Sequence, residues 1–376
     1  MAVEIRQVSS SADMRKFVKF NLKLYKGNRY YVPGLIDDEL RTLDAKKNPA
    51  FKFCEAAYFL AYRDGEIVGR IAGIINNKAN ETWNQNNARF GFVDFINDDE
   101  VVDALFGAVI DWAKRRGKEM LQGPMGFTDL DHQGMLVEGF DQLGTMATIY
   151  NYAYYPKQME RMGFVKDQDW REYKIFVPAQ MPEKHMRISE IVRKKYGLKI
   201  LKFKSQKEVL PYAHRIFETL NQAYAPLYGF SELSREQIDY YVKVYIPMIR
   251  LDFVTVIVRK EDDKVVAFAI TMPNLSRGLQ KAGGSLLPFG WAHLYKELNF
   301  RGNKVVDLYL IGVIPEYQNK GVNALLFDDL IPIFHRNGVE YAESNPELET
   351  NTAVQMQWNY FEREHHKTRR SYIKRI

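Results

Sequence analysis

Residues 305–338, VVDLYLIGVIPEYQNKGVNALLFDDLIPIFHRNG, decide how the rest of the chain is read. Val305–Val313 is rich in Val, Leu, Ile and Tyr, the composition of a buried strand. Pro315 ends the pairing, because proline has no backbone N–H to donate. A polar turn over 317–323 then leads into an apolar helix from Ala324 to Phe334, which stops at Asn337-Gly338. A strand, a glycine-bearing turn and a helix start, in that order, make a cradle for phosphate. The first N–H groups of the helix lack an internal partner, and the helix dipole favours negative charge there.

Outward from this stretch, a hairpin of Val254–Val258 and Val265–Thr271 precedes it. A strand at Val339–Ser344, a helix from Thr350 to about Glu362 and a last strand at Arg370–Ile376 follow. The first half repeats this order. Phe59–Tyr62 and 67–73 form a hairpin about Asp64-Gly65, and Ala88–Ile96 is a strand. The helix VVDALFGAVIDWAKRRG starts at the acidic cap Asn97-Asp98-Asp99 and ends at Gly117. Met120–Met125 is a strand, Ala147–Met162 a helix and Trp170–Val177 a strand. RRGKEMLQGP beside RNGVEYAESNP, and WREYKIF beside RRSYIKRI, are local echoes of a duplication. The expectation is an α/β chain of two domains, 1–178 and 179–376, each a mixed central sheet flanked by helices.

With 376 residues, 46% hydrophobic and 27% charged, the chain is an ordinary globular protein long enough for two cores. The single cysteine, Cys54, excludes an intrachain disulfide and a cysteine-based zinc site. No apolar run reaches bilayer-spanning length, and MAVEIRQVSS lacks a signal peptide's apolar region, so the cytoplasm is the expected compartment. The net charge of +6 gathers at Lys194-Lys195, over 199–207 and in the tail HHKTRRSYIKRI. Such runs are solvated faces, or they attract a polyphosphate, a membrane surface or RNA. No RNA-binding motif accompanies them, and no nucleic-acid partner is expected.

The turn Tyr317-Gln318-Asn319-Lys320-Gly321-Val322-Asn323-Ala324 resembles the pyrophosphate-binding motif of the GNAT (Gcn5-related) acyltransferases, Gln/Arg-x-x-Gly-x-Gly/Ala. Val313-Ile314-Pro315-Glu316-Tyr317 matches the family's Val-x-Pro-x-Tyr lead-in. Asn323 departs from the pattern, although asparagine tolerates unusual backbone angles. In the first half, Met159-Glu160-Arg161-Met162-Gly163-Phe164 is similar to the family's late Tyr-Glu-Lys-x-Gly-Phe signature. That half has no pyrophosphate motif, and Asp98, Asp99 and Glu100 stand where it would be, so a phosphate would be repelled. The resemblance implies two GNAT-like domains in tandem, the first degenerate and the second holding acetyl-CoA or a longer acyl-CoA. Gln318, Lys320, Gly321, Val322, Asn323 and Ala324 would hold the pyrophosphate. Ile311 and Val313 would pair their backbone with the pantetheine. The implied reaction is direct transfer of the acyl group to a primary amine, with no metal.

That transfer needs a group to take a proton from the ammonium and a source of one for the thiolate. Side-chain alternation places Asp307, Tyr309 and Ile311 on one strand face, and Asp307 or Tyr309 is a candidate relay. A buried structural tyrosine is the other reading of Tyr309. Tyr360 and Tyr372 are the candidate acids, or packing residues. Asn351 either bonds the pantetheine or caps its helix. Asp129, Asp131 and His132 lie in the glycine-rich loop GPMGFTDLDHQG, where they hold the acceptor amine or merely close turns. With 23 Tyr and 23 Phe, the chain has room for a small-molecule or lipid-like acceptor. An aminoacyl-tRNA-dependent transferase and a non-catalytic CoA-binding scaffold are the alternatives.

Overall fold

In the computed structural model, which describes residues 2–376, the chain divides into two compact units. The first holds the chain up to Arg171 together with Leu275–Leu294 and His366–Ile376. The second holds Glu172–Asn274 and Tyr295–His365. In chain order the elements begin with β1 (Glu4–Gln7), α1 (Ser11–Leu24), α2 (Ile36–Thr42), β2 (Cys54–Arg63), β3 (Glu66–Asn76) and α3 (Asn77–Thr82). There follow β4 (Asn87–Phe95), α4 (Asp99–Lys114), β5 (Met120–Gly123), β6 (Met135–Glu138), α5 (Tyr154–Arg161) and β7 (Val165–Phe176). Next come α6 (Glu183–Lys195), β8 (Leu198–Leu201), α7 (Gln206–Tyr224), α8 (Arg235–Tyr245), β9 (Val254–Arg259), β10 (Val265–Pro273), α9 (Ser276–Ala282) and α10 (Gly290–Leu298). The chain ends with β11 (Val305–Val313), α11 (Asn323–Arg336), β12 (Tyr341–Ser344), β13 (Glu347–Leu348), α12 (Thr352–Gln357) and β14 (Arg363–Arg375).

Each unit has the same sheet pattern. In the first, β1 to β4 are successive antiparallel neighbours, β4 and β5 run parallel, and β14 closes antiparallel on β5. In the second, β8 to β11 are antiparallel neighbours, β11 and β12 run parallel, and residues 174–176 of β7 close antiparallel on β12. A parallel pair needs a crossover, supplied by α4 in one unit and α11 in the other. The strand that closes each sheet comes from the other half of the sequence, and these two strands carry the WREYKIF and RRSYIKRI echo.

Local chemistry sets these elements. Asp64 and Gly65 both have positive φ, 55° and 81°, so the β2–β3 turn twists with its strands as a two-residue hairpin requires. The Asp98 carboxylate accepts from the Val101 N–H and caps α4. Val101, Leu105, Val109 and Trp112 then face the sheet one helical turn apart. Gly69 and Gly73 let the helix lie close: a Cβ there would come within 2.5 Å of Leu105 Cδ1 and 2.9 Å of the Trp112 ring.

Some expected boundaries move. Only Tyr154–Arg161 of the expected 147–162 helix is helical, because Tyr150 and Tyr152 pack their rings against Tyr25 instead of following a helical stripe. The helix expected from Thr350 to Glu362 covers Thr352–Gln357 and passes through a 3₁₀ turn into β14, which starts at Arg363. β6 lies in a stretch that reads as loop.

The first unit buries a charge cluster. Arg70 on β3 donates to Asp94 at 2.8 Å, to Glu39 at 2.5 Å and to the Phe17 carbonyl at 3.1 Å. Tyr25 donates to the other Asp94 oxygen at 2.8 Å. Breaking a buried pair leaves an uncompensated charge. Asp94→Ala is expected to cost about 3–5 kcal/mol in urea unfolding, and a loss below about 1 kcal/mol would show that Glu39 alone suffices for Arg70.

Candidate functional site

The site is built on the second unit's β11. Parallel pairing with β12 runs from Val305 to Leu308 and then stops. Opposite β10, Leu308 pairs with Thr271 and Leu310 with Ile270, so Tyr309 is an extra residue, a β-bulge. The Tyr309 carbonyl is held at 2.6 Å by the side-chain amide of Asn345, just after β12. Beyond the bulge β11 keeps β10 on one side only. The Ile314 N–H points to the Val266 carbonyl of β10, so Ile311 and Val313, three residues and one residue before it, direct their backbone groups to the opposite, open edge. There the Ile311 carbonyl accepts from the Tyr224 hydroxyl at 3.2 Å, and the Val313 carbonyl accepts from the Gln318 amide at 3.0 Å.

The bulge also shifts the side-chain phase. Val306 and Leu308 lie in the core under α11, and Ile311 and Val313 pack against that same core. Asp307 and Ile311 therefore do not share a face, as unbroken alternation had implied. Asp307 is buried and accepts from Asn274 Nδ2 at 2.7 Å. Tyr309 stands at the bulge, half-buried.

The turn before α11 brings left-handed backbone to the start of a helix. Asn319 and Gly321 have φ of 57° and 77°, so the left-handed positions are these two and not Asn323. Asn323 is the first residue of the helix, and its side chain bonds Gln357 at 3.3 Å. Among the described residues the N–H groups of Gly321, Val322 and Asn323 make no hydrogen bond, while those of Ala324 and Leu325 return to the Gly321 and Val322 carbonyls. Gly321 faces α6, where a Cβ would lie 3.0 Å from Ile188. Val322 and Ala324 are buried, and the Ala324 carbonyl accepts from His185. The Lys320 ammonium lies over the rings of Tyr196 and Tyr317 at 5.6 and 5.7 Å.

The corresponding edge of the first unit is filled. The Ile96 N–H points to Val68 as that of Ile314 points to Val266, so Phe95 corresponds to Val313. The Phe95 N–H donates to the Tyr155 hydroxyl at 3.0 Å, and its carbonyl accepts from Tyr154 at 2.6 Å. The Tyr155 ring stacks on Phe95 at 4.1 Å, and its hydroxyl meets that of Tyr25 at 3.0 Å. At the start of α4, Asp98 is engaged by Arg63 at 2.7 and 3.0 Å, and this guanidinium holds its carboxyl below the usual range.

The other candidates fall in separate places. Asn351 caps α12, accepting from the Val354 N–H. Tyr360 is turned outward, its ring edge-on to His185 at 5.9 Å. Asp129, Asp131 and His132 share one tied turn of the first unit. Asp131 accepts from the Thr128 N–H at 2.8 Å, Asp129 from Gln133 at 3.1 Å, and exposed His132 contacts the Met146 carbonyl at 2.8 Å. Loss of solvent raises the Asp129 carboxyl to about 6.

Glu347 escaped the sequence reading. It follows Asn345 by two residues, where the chain leaves the point at which β11 and β12 part. One carboxylate oxygen accepts from Trp358 Nε1 at 2.7 Å, and the other is buried with no hydrogen-bond partner among the described residues. Burial raises this carboxyl to about 8, against the opposing pull of the Trp358 N–H and of Arg363. In sequence it is one acid in a polar turn, and only its burial sets it apart.

The chain has the GNAT fold in its tandem form. It superimposes on a tandem GNAT protein from the clavulanic acid biosynthesis pathway, a structure without AcCoA, with a TM-score of 0.55 over 99% of this chain and 98% of that one, at 12% identity. By sequence it is similar to Protein YghO of Escherichia coli (strain K12), 28% identical over 392 residues, covering 99% of this chain and 95% of that protein. It is also 28% identical over 315 residues to the bacterial ceramide synthase of Caulobacter vibrioides, covering 83% of this chain and 80% of the relative. No family model matches the chain.

Gly321→Glu places a side chain and a negative charge in the cradle. Titration calorimetry with CoA is expected to show binding weakened by about 2 kcal/mol or more. Gly321→Ala reports the strain of the positive φ separately. Lys320→Ala is expected to cost roughly 1 kcal/mol or less, as an exposed charge.

Proposed function

We propose that the protein is an acyl-CoA-dependent N-acyltransferase. The second unit takes the acyl-CoA, and the acceptor is the primary amine of a long-chain amino alcohol. The observation that carries the donor half is the open edge of β11 beside three unpartnered N–H groups at the start of α11. Ile311 and Val313 offer backbone groups to an extended amide-bearing arm, and Gly321, Val322 and Asn323 offer N–H groups to its pyrophosphate. Gln318 and Tyr224, now on the edge carbonyls, would be displaced or would flank the arm. The filled edge and acidic helix start of the first unit favour one donor site per chain. The acceptor half is supported by the similarity to a protein named a ceramide synthase, since a ceramide is the amide of a fatty acid with a long-chain amino alcohol.

In this reading the amine nitrogen attacks the thioester carbonyl, the C–N bond forms and the C–S bond breaks. The ammonium gives up two protons: one ends on the CoA sulfur and the other leaves to water. Glu347 is the group we assign as base, because its unpartnered oxygen is free to take a proton and its raised pKa matches that work near neutral pH. The side-chain amide of Asn345, bonded to the bulge carbonyl, fixes the segment that carries it. Asp307 is tethered to Asn274, and Tyr309, read from the sequence as a relay for the ammonium proton, is here assigned the return of a proton to sulfur in place of the outward-turned Tyr360.

The test is amide formation by the purified protein from acyl-CoA of graded length and a long-chain amino alcohol, with CoA thiol released one for one. Glu347→Gln is expected to lower kcat by roughly 10²–10⁴-fold, with little change in KM for acyl-CoA. The wild-type rate is expected to climb with pH through about 8, and this limb should vanish in the variant. Donor binding without amide formation for any amine tested would sink the reading in favour of a non-catalytic CoA-binding protein. Stability gives an independent check. The fold holds the Glu347 proton more tightly than the unfolded chain, whose carboxyl titrates near about 4.3. Its contribution is full below that value and lost as pH rises through about 8, so wild type should weaken relative to Glu347→Gln across that window.

A further inference from the structure

Between β10 and β11 the chain runs through α9 and α10, and the tip between them, residues 285–292, is apolar and uncovered. Leu287 is 79% exposed, Phe289 73% and Trp291 54%, with Leu286 beside them. Isolated exposed apolar residues are common, but four large ones within six residues form a patch that calls for an occupant. The tip is also firmly held. The Trp291 N–H closes it on the Leu286 carbonyl at 2.9 Å, and Ser285 Oγ donates to the Leu287 carbonyl at 3.0 Å. At its base, Gln280 donates to the carbonyls of Arg29 and Tyr31, both at 2.9 Å, and the Ile36 N–H donates to the Gly284 carbonyl at 2.9 Å. Fixed bonds at the base and a closed turn above it display the side chains instead of folding them in.

Charge selects the occupant. The sequence has no Asp or Glu between Asp263 and Glu297. Arg277 and Lys281, one turn apart on α9, are exposed and form no salt bridge among the described residues. Leucine, phenylalanine and tryptophan at a tip, with cations and no acid in the same stretch of sequence, suit the boundary between lipid headgroups and acyl chains. No helix of the described residues is long and apolar enough to cross a membrane, so the contact is one of lying on a bilayer. We propose that residues 285–292 dock this protein on the surface of an anionic phospholipid bilayer, Leu287, Phe289 and Trp291 entering the headgroup boundary and Arg277 and Lys281 meeting lipid phosphates. The proposal does not depend on the acyl-transfer reading, although a long-chain amine resides in such a bilayer.

Sedimentation with vesicles of phosphatidylglycerol and phosphatidylcholine tests it on the full chain. Wild type is expected to bind, with binding falling several-fold in 0.5 M salt or on vesicles of phosphatidylcholine alone. The triple variant Leu287→Ser, Phe289→Ser, Trp291→Ser should lose at least tenfold in binding with its melting temperature unchanged. Brominated acyl chains should quench wild-type tryptophan fluorescence, and Trp291→Phe should bind yet lose most of that quenching. Failure of wild type to bind, equal binding by the triple variant, or quenching untouched by Trp291→Phe would overturn the proposal. So would a dimer in solution that the triple variant dissolves while vesicles bind neither protein, because the patch would then be an interface between copies.

Discussion

A strand that parts from its neighbour leaves a row of backbone N–H and C=O groups that something else must satisfy, because a buried orphan costs as much as a lost hydrogen bond. β11 parts from β12 after Leu308, and the structure depends on how that edge is met. The bulge at Tyr309 turns the strand, and Asn345 ties the bulge carbonyl to the segment leaving β12. Among the described residues, only the side-chain donors Tyr224 and Gln318 touch the Ile311 and Val313 carbonyls on the open edge. An edge held open in this way is a template for an extended ligand.

The first unit has met the same constraint in the opposite manner. Tyr154 and Tyr155 satisfy both backbone groups of Phe95, and the Tyr155 hydroxyl is joined through Tyr25 to the buried Asp94–Arg70–Glu39 cluster. Opening that edge would expose a stacked ring and disturb a buried ion pair, whereas opening the edge of β11 moves the exposed Gln318 and the half-buried Tyr224 side chains. One architecture thus yields a unit whose edge is filled and a unit whose edge is open, and a few side chains make the difference.

Much of the fold was legible because hydrophobic period and turn chemistry agree locally. The Asp64-Gly65 hairpin, the Asp98 cap and the strand–turn–helix at 305–336 follow from short-range rules, and the repeated order of elements exposed the tandem. Long-range facts were not legible. The exchange of closing strands between halves leaves no mark beyond a faint echo, since either strand presents the same alternation to either sheet. Within the site, the turn 318–324 was readable from its residues, yet the side-chain phase of β11 was not, because one inserted residue at Tyr309 reverses the faces after it. Asn323 drew notice as a departure that needed unusual angles, while the positive φ values belong to Asn319 and Gly321. Glu347 was invisible, since its character comes from Trp358 closing over it from eleven residues away.

The central claim is that the open edge of β11 and the start of α11 are the single donor site. Hydrogen exchange read by mass spectrometry with and without saturating CoA tests it directly. The account predicts slowed exchange over 311–313 and 319–325, with the segments around Phe95 and Asp98 unchanged. Protection around Phe95 and Asp98, or none over 311–325 while CoA is bound, would contradict it.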